Sequence, residues 1–299
     1  MTPAVATWWQ ADAIRRRLAD YLILTKPRVI AMVLVTTLVG YHLGSAGAPD
    51  VLHVLRTLLA TALAAGGTLA LNQYMERDLD ARMERTRRRP LPDGRLVPGE
   101  ALALGLVFLT AGLAWLWLDA GRAAAAVTAA IAVTYLLVYT PLKQVSSLCS
   151  IVGAVPGALP PVAGWAAAGG ELGPEPWMLF AIMFLWQIPH SLAIGCLYRD
   201  DYARAGIRVL PAVDGDWEST GTQVVSYCLA LVPVALLPTL VGLAGPVYFL
   251  VALVLGIGFL WSAVGLARRH SAADARRLLF ASLVYLPALL CVMALDKLT

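Results

Sequence analysis

Long apolar stretches separated by short polar segments dominate the sequence. Each stretch is close to the roughly 20 residues that a helix needs to cross a bilayer. The apolar positions run continuously and do not alternate, which argues against a membrane β-barrel. We predict an all-α, polytopic bundle with transmembrane helices at 27–45, 53–73, 101–118, 122–140, 148–168, 177–197, 222–243, 246–266 and 278–296.

All nine predicted helices lie after residue 20, so the chain has two predicted parts. Residues 1–20 are predicted to form a cytoplasmic N-terminal segment, and residues 21–299 a single transmembrane domain. Composition supports this assignment, because 59% of the residues are hydrophobic and only 14% are charged. Soluble domains carry about 25% charged residues. A soluble fold, and with it a nucleic-acid-binding partner, is therefore excluded despite the net charge of +4.

Lysine and arginine gather at one end of the predicted bundle. If the N-terminus is cytoplasmic, all but three of the 23 basic residues fall on the cytoplasmic side, the exceptions being Arg56, Arg122 and Lys297. This asymmetry follows the positive-inside rule. It predicts a multi-pass protein of the cell inner membrane, with its N-terminus inside and its C-terminus outside.

A stripe of polar residues marks the end of the second predicted helix. Asn72, Glu76 and Asp80 are spaced four residues apart, so they share one face of a helix. Like charges at this spacing repel each other. Either neighbouring arginines neutralise them or they hold a divalent cation, and Mg²⁺ prefers one or two carboxylates together with phosphate oxygens. The arginines at 85–89 directly follow, which suits a metal-bridged diphosphate.

Further polar residues are predicted to lie at the same membrane face. The loop after the sixth predicted helix mixes acids, an arginine and tyrosines over residues 198–202. His190 lies inside that helix, and an ionisable residue within a membrane is a functional candidate. Tyr139 and Lys143 end the fourth predicted helix, where a tyrosine can line a cavity and a lysine can contact phosphate.

These segments together resemble the UbiA-type intramembrane prenyltransferases, and within them the subgroup that acts on haem. The resemblance spans about residues 20 to 295 and is carried by residues 25–28, 72–92, 139–143, 187–190 and 198–211. It implies nine helices around a central cavity that opens laterally to lipid, with Mg²⁺ as cofactor. The implied catalytic and metal-binding residues are Asn72, Glu76, Asp80 and Asp201. The implied substrate-binding residues are Arg85, Arg89, Tyr139, Lys143, His190, Tyr198, Arg199, Asp200 and Tyr202.

The activity implied by the resemblance is transfer of a farnesyl group from farnesyl diphosphate to a vinyl group of haem B. Membrane lipid and the next haem-modifying enzyme are the other implied partners. Two positions depart from the family pattern. Glu76 stands where many relatives have aspartate, and Tyr198 and Tyr202 occupy the spacing at which quinone-type enzymes carry Asp-x-x-x-Asp. Prenyl transfer to a quinone precursor or another tetrapyrrole, and a membrane transporter, remain alternatives.

Overall fold

The chain folds into a bundle of long helices, which confirms the predicted fold class. The computed structural model describes residues 3–298, with side chains from residue 14 onward. Its helices are α1 (Pro3–Thr25), α2 (Pro27–Gly44), α3 (Val51–Asp80), α4 (Pro98–Trp115), α5 (Arg122–Val133), α6 (Cys149–Ala158), α7 (Pro160–Ala167), α8 (Pro174–Leu197), α9 (Arg199–Ala205), α10 (Leu210–Val213), α11 (Glu218–Leu240), α12 (Pro246–Arg269) and α13 (Ala272–Leu295).

The described residues form nine segments that are long and apolar enough to cross a membrane. They are α2, α3, α4, α5, the pair α6–α7, α8, α11, α12 and α13. Two of these continue as π-helix, α4 through Leu116–Ala120 and α5 through Thr134–Tyr139. Large apolar side chains such as Leu118 and Trp261 point outward and are exposed, as expected for a surface that faces lipid.

Helix α1 precedes the nine spans and runs across the predicted boundary at residues 20 and 21. The division into a segment over 1–20 and a domain over 21–299 therefore stays a prediction. Residues 1, 2 and 299 of that division lie outside the described residues.

Helix α3 is longer than its apolar pattern predicts. We expected the span to end at residue 73, but the helix continues without a break to Asp80. Beyond its end, the Thr86 hydroxyl donates a hydrogen bond to the backbone oxygen of Asp80, which satisfies one of the carbonyls left free at a helix C-terminus. Asn72 and Asp80 therefore belong to the same rigid rod as the membrane span.

Glycines allow some of the helices to pack with their backbones in close contact. A Cβ on Gly40 of α2 would lie 1.9 Å from the backbone oxygen of Pro161, and one on Gly164 of α7 would lie 1.9 Å from the backbone oxygen of Thr37. Such contacts between small residues are the usual packing mode of membrane helices. They fix α2 against α7 in the wall of the central cavity.

At the end of the bundle opposite Asp80, the chain terminus ties α2 to α13. The Lys297 ammonium donates hydrogen bonds to the backbone oxygens of His42 and Ser45. The ring of His42 lies 3.1 Å from the backbone oxygen of Ala294. These contacts join the first and last spans and close the helix ring at this end.

Candidate active site

The three residues of the predicted stripe are all buried at the end of α3. Asn72, Glu76 and Asp80 project from consecutive turns of the helix, as the four-residue spacing requires. We call this end of the bundle the motif face; it carries Asn72–Asp80 and, from the facing loop, Tyr198–Tyr202. Buried carboxylates are stable only when other groups compensate their charge, so their partners define the site.

Each carboxylate of the stripe is paired with a cation from another segment. The Lys143 ammonium donates to Glu76 Oε1 at 2.6 Å, and the Arg89 guanidinium donates to Asp80 Oδ2 at 2.7 Å. Lys143 follows the end of α5, and Arg89 lies in the loop after α3. Two positive charges therefore converge on the stripe without belonging to its helix.

Asn72 is fixed by hydrogen bonds on both sides of its carboxamide. Its Nδ2 donates to the Thr140 hydroxyl at 3.1 Å, while Oδ1 accepts from the Lys26 ammonium at 2.8 Å. Lys26 has a left-handed backbone, with φ of 53°, directly before Pro27. A residue before proline is normally extended, and such strain persists mainly where the surrounding structure requires it. The elbow between α1 and α2 thus places an ammonium against the stripe.

The Lys26 ammonium is buried and lies near Arg89, and both effects lower the pKa of Lys26 to about 7. The elbow that carries it is anchored by Gln73, whose side chain donates to the backbone oxygens of Ile23 and Leu24. Gln73 lies on the same helix as Asn72, and it therefore holds the strained backbone at Lys26 in place.

Tyrosines continue the site from the stripe into the membrane. Lys143 lies 4.3 Å from the ring centre of Tyr139, and the rings of Tyr139 and Tyr135 are 5.2 Å apart. Burial would lower the pKa of Lys143, but Tyr139 and Glu76 raise it above its ordinary value. Both tyrosines lie in the π-helical part of α5, and such π segments are frequent at functional sites.

The second acidic motif is organised differently from the first. The buried carboxylate of Asp201 is paired with Arg204 of the same short helix, α9. Asp200 is exposed, and the Arg199 guanidinium points toward the backbone oxygen of Gly215. The structure therefore pairs the acid of this motif locally, and the side chains of Arg199 and Asp200 do not line the cavity described below.

Arg85 bridges the two motifs. Its guanidinium lies 4.9 Å from the ring centre of Tyr198 and 5.5 Å from that of Tyr202, and it donates a hydrogen bond of 3.2 Å to the Tyr202 hydroxyl. Beneath this contact, Met83 packs with Ala205 and the loop that follows α9. The two polar loops are thus joined by an apolar patch and by one arginine.

A cavity of about 390 Å³ extends from Arg85 into the bundle. This volume falls within the range of about 300–1,000 Å³ that is typical of ligand pockets. Its wall is mostly apolar and comes from α2, α3, α5, α6–α7 and α8, with Tyr135, Tyr139, Tyr202 and Gln187 as larger polar members. The stripe itself does not line this cavity, but Thr68, one turn before Asn72 on α3, does, so the stripe lies next to a predominantly apolar chamber.

His190 faces away from this cavity. Its Nδ1 lies 2.8 Å from the Ser282 hydroxyl of α13, and its ring stacks on Trp186 at 4.9 Å. The Ser282 hydroxyl itself donates to the backbone oxygen of Leu279, so the histidine Nδ1–H is the donor to Ser282. Its Nε2 remains an acceptor. The predicted role of His190 in binding a substrate stays a prediction.

The stripe offers hard oxygen donors of the kind that Mg²⁺ takes. An amide oxygen and two carboxylates fit an ion that completes its shell with phosphate oxygens. Within the described part of the chain, no group of three or more His, Cys, Asp or Glu side chains could hold a metal ion. Asp201 is thus not assembled with Glu76 and Asp80, and its role as a ligand stays a prediction.

The sequence motifs did not predict every residue of the site. Lys26, Tyr135 and Gln187 were not among the predicted site residues, yet Lys26 touches the stripe and the other two line the cavity. The Lys-Pro pair at the start of the first span was a usable signal for Lys26. Gln187 also lies so close to Gly157 that a Cβ there would be 2.2 Å from its Oε1.

Known proteins resemble the chain in both sequence and fold. Residues 33–284 match the UbiA prenyltransferase family. The protoheme IX farnesyltransferase of Solibacter usitatus is 46% identical over 93% of this chain and 98% of its own length. That of Myxococcus xanthus is 43% identical over 96% of this chain and 98% of its own length.

Solved structures share the fold at low sequence identity. Digeranylgeranylglyceryl phosphate synthase superposes with a TM-score of 0.79 at 17% identity, over 94% of this chain and 98% of the other. A UbiA homologue from Archaeoglobus fulgidus, bound to GPP and Mg²⁺, superposes with a TM-score of 0.68 at 17% identity, over 92% of this chain and 99% of the other. The chain belongs to the UbiA prenyltransferase family.

Proposed function

We propose that this enzyme transfers the farnesyl group of farnesyl diphosphate to a vinyl group of haem B, giving haem O and diphosphate. The observation that carries the proposal is the stripe of Asn72, Glu76 and Asp80, with its surrounding cations, beside an apolar cavity. The nearly full-length relatives named protoheme IX farnesyltransferase support haem as the acceptor.

Asn72, Glu76 and Asp80 would hold Mg²⁺ against the diphosphate. When bound, Mg²⁺ neutralises the negative charge that develops on the departing diphosphate. Lys143 and Arg89, which pair with the carboxylates in this structure, would then turn to the phosphate oxygens. Charge-assisted contacts of this kind are stronger than neutral hydrogen bonds, and they stabilise charge as it forms.

Tyr135 and Tyr139 would shield the reacting carbon of the prenyl donor. When the diphosphate leaves, that carbon becomes an allylic cation, which water would quench. The rings line the cavity just beyond Lys143, where aromatic faces attract positive charge. The apolar wall excludes water from the first step, and the prenyl chain is apolar enough to occupy the same chamber.

The acceptor would then complete the reaction. The haem vinyl group attacks the allylic cation, and the new bond leaves a cation on the carbon next to the porphyrin. Water adds to that carbon and releases a proton, which yields a hydroxyethylfarnesyl group. We propose that the porphyrin reaches the side of α8 that faces α13, outside the cavity of the prenyl chain, where His190 contacts it through Nε2. We propose also that Asp201, with Arg199 and Asp200 beside it, completes the polar end of the site.

We propose that the motif face lies on the cytoplasmic side of the cell inner membrane, with the N-terminus inside and the C-terminus outside. Lys26, Arg89 and Lys143 converge at this face, whereas Lys297 lies at the opposite end. That distribution supports the positive-inside orientation. Both substrates are apolar enough to arrive from the lipid, and a haem-modifying enzyme that takes the product stays a predicted partner.

A mass-resolved haem assay tests the proposal. Membranes that contain the protein are incubated with haem B and Mg²⁺, with and without farnesyl diphosphate, and matched membranes without the protein serve as the control. We expect a haem heavier by one farnesyl and one hydroxyl group only when both protein and farnesyl diphosphate are present. Unchanged haem B, with prenylation of an added hydroxybenzoate, would favour the quinone-type alternative instead.

A further inference from the structure

We infer that the site uses a single divalent cation, and that the Arg85 guanidinium, held over the rings of Tyr198 and Tyr202, adds its charge to those of Lys143 and Arg89 around the diphosphate in place of a second metal ion. This rests on the proposed function, because it concerns the same diphosphate site. It goes further in assigning the number of metal ions and the purpose of the tyrosine spacing.

The geometry of Arg85 is the first support. Tyr198 immediately precedes α9 and Tyr202 lies one turn into it, and both rings face Arg85. Arg85 reaches across from the other loop, over both rings and within hydrogen-bond distance of one hydroxyl. Such a clamp presents the planar face of the guanidinium to the rings and leaves donor edges for an anion.

The charge pattern is the second support. Glu76 is paired with Lys143, Asp80 with Arg89 and Asp201 with Arg204. In contrast, none of the salt bridges among the described residues involves Arg85, although it lines the cavity. The rings that Arg85 contacts are neutral, so no carboxylate among the described residues competes with an incoming anion for this exposed guanidinium.

The ligand chemistry of the second motif is the third support. A second Mg²⁺ would need oxygen ligands from that loop, and Mg²⁺ takes carboxylate, phosphate and water oxygens. The two positions that face Arg85 are tyrosines, which are neutral phenols near pH 7. The one buried carboxylate of the motif, on Asp201, is paired with Arg204. This loop therefore offers a metal ion one buried carboxylate, against two carboxylates and an amide oxygen in the first motif, while its tyrosines hold a guanidinium.

Manganese stoichiometry tests the inference directly. The purified full-length protein in lipid nanodiscs is titrated with Mn²⁺ in the presence of farnesyl thiolodiphosphate, an unreactive analogue, and bound Mn²⁺ is counted by electron paramagnetic resonance. We expect one Mn²⁺ for each chain, without the spectral splitting of a coupled pair. Two Mn²⁺ for each chain, or a coupled-pair spectrum, would overturn the inference while leaving the proposed function intact.

A double-mutant cycle tests the cage. Calorimetry at saturating Mn²⁺ measures the analogue Kd for Tyr198→Leu, Tyr198→Phe, Arg85→Ala and the double variant Arg85→Ala/Tyr198→Leu. Losing the ring should weaken binding about 3- to 30-fold, Phe should retain most of the affinity, and Leu should add little once Arg85 is absent. An equal loss from Tyr198→Leu with and without Arg85 would overturn the cage.

The two failures can be told apart. If the protein binds the analogue and one Mn²⁺ but never converts haem B, the haem proposal fails and the single-cation inference stands. If the analogue does not bind at any Mn²⁺ concentration, the diphosphate site is wrong and the inference is overturned with it. Circular dichroism of each variant, with Asp78→Asn as an exposed control on α3, reports whether folding is retained.

Discussion

The two acidic motifs lie at the same face of the bundle, but the structure supports them in different ways. The first lies on the last turns of a 30-residue helix, and its carboxylates are paired with cations from outside that helix, Lys143 after α5 and Arg89 in the loop after α3. The second lies on a seven-residue helix, and its buried acid is paired three residues away. Only the first motif therefore concentrates positive charge from other segments around its oxygens.

This difference indicates a division of labour between the motifs. Long-range pairs break when a ligand competes for both partners, and the freed cations still point into the site. A local pair such as Asp201–Arg204 can persist while the rest of its loop contacts the ligand. We therefore propose that the first motif chiefly binds the metal, and that the tyrosines of the second hold Arg85 against the anion.

The largest effect is expected for Asp80→Asn. Removing one carboxylate from the metal site should lower the rate of haem O formation by about 100- to 1,000-fold, the typical cost of removing one preorganised electrostatic group. Asp78→Asn, two residues away with an exposed side chain, is the matched control and should retain near-parental activity. Equal activity of Asp80→Asn and Asp78→Asn, at equal membrane abundance, would remove the first motif from the chemistry.

Asp201→Asn should cost less than Asp80→Asn. Loss of a buried charged hydrogen bond is worth about 1.5–3 kcal/mol, which corresponds to a rate loss of about 10- to 100-fold. Asp200→Asn, at the exposed neighbouring position, should lose less than Asp201→Asn. Loss of Mn²⁺ binding in Asp201→Asn would contradict the proposed difference between the motifs, because the second motif would then be a metal site in its own right.

Lys143→Met should act mainly on the diphosphate substrate. The ammonium lies 2.6 Å from Glu76 in this structure, and we expect it to contact phosphate when substrate is bound. One charge-assisted contact is worth about 1.5 kcal/mol at the low end, so kcat/KM for farnesyl diphosphate should fall about tenfold. The KM for haem B, measured in the same series, should move little; a selective rise in the haem KM would contradict this placement.

The smallest effect is expected for Gly153→Ala. The added Cβ would lie 2.5 Å from the Tyr139 ring, so the ring must shift within the cavity wall. Overpacking of this kind costs about 1–3 kcal/mol of stability, seen as a lower Tm together with a modest loss of transfer rate. Gly258→Ala, where a Cβ meets nothing within 4 Å, controls for the substitution itself, and matching Tm values would refute the packing argument.

Local spacing predicted much of this arrangement and missed what depends on packing. The apolar runs predicted the nine spans, and the four-residue spacing placed Asn72, Glu76 and Asp80 on one face, as observed. The pair of Arg89 and Asp80 agrees with the alternative that neighbouring arginines neutralise the stripe. The partner Lys143, 67 residues from Glu76, depends on which segments meet in space, and spacing within one segment carries no information about that.

The same limit explains His190. On α8, Gln187, Ser191 and Ile194 line the cavity, whereas His190, only about 60° around the helix from Gln187, contacts Ser282 of α13. The sequence marked this stretch as functional but could not say which side chain turned inward. The left-handed backbone of Lys26 was likewise invisible, since it depends on how α1 meets α2.

An acceptor competition tests the central claim most directly. The purified protein, with farnesyl diphosphate and Mg²⁺, is offered haem B and 4-hydroxybenzoate in equal amounts, and both products are quantified by mass spectrometry. We expect haem O to accumulate, chelation of the divalent cation to stop its formation, and the hydroxybenzoate to stay unmodified. A prenylated hydroxybenzoate beside unchanged haem B would show that haem is not the acceptor.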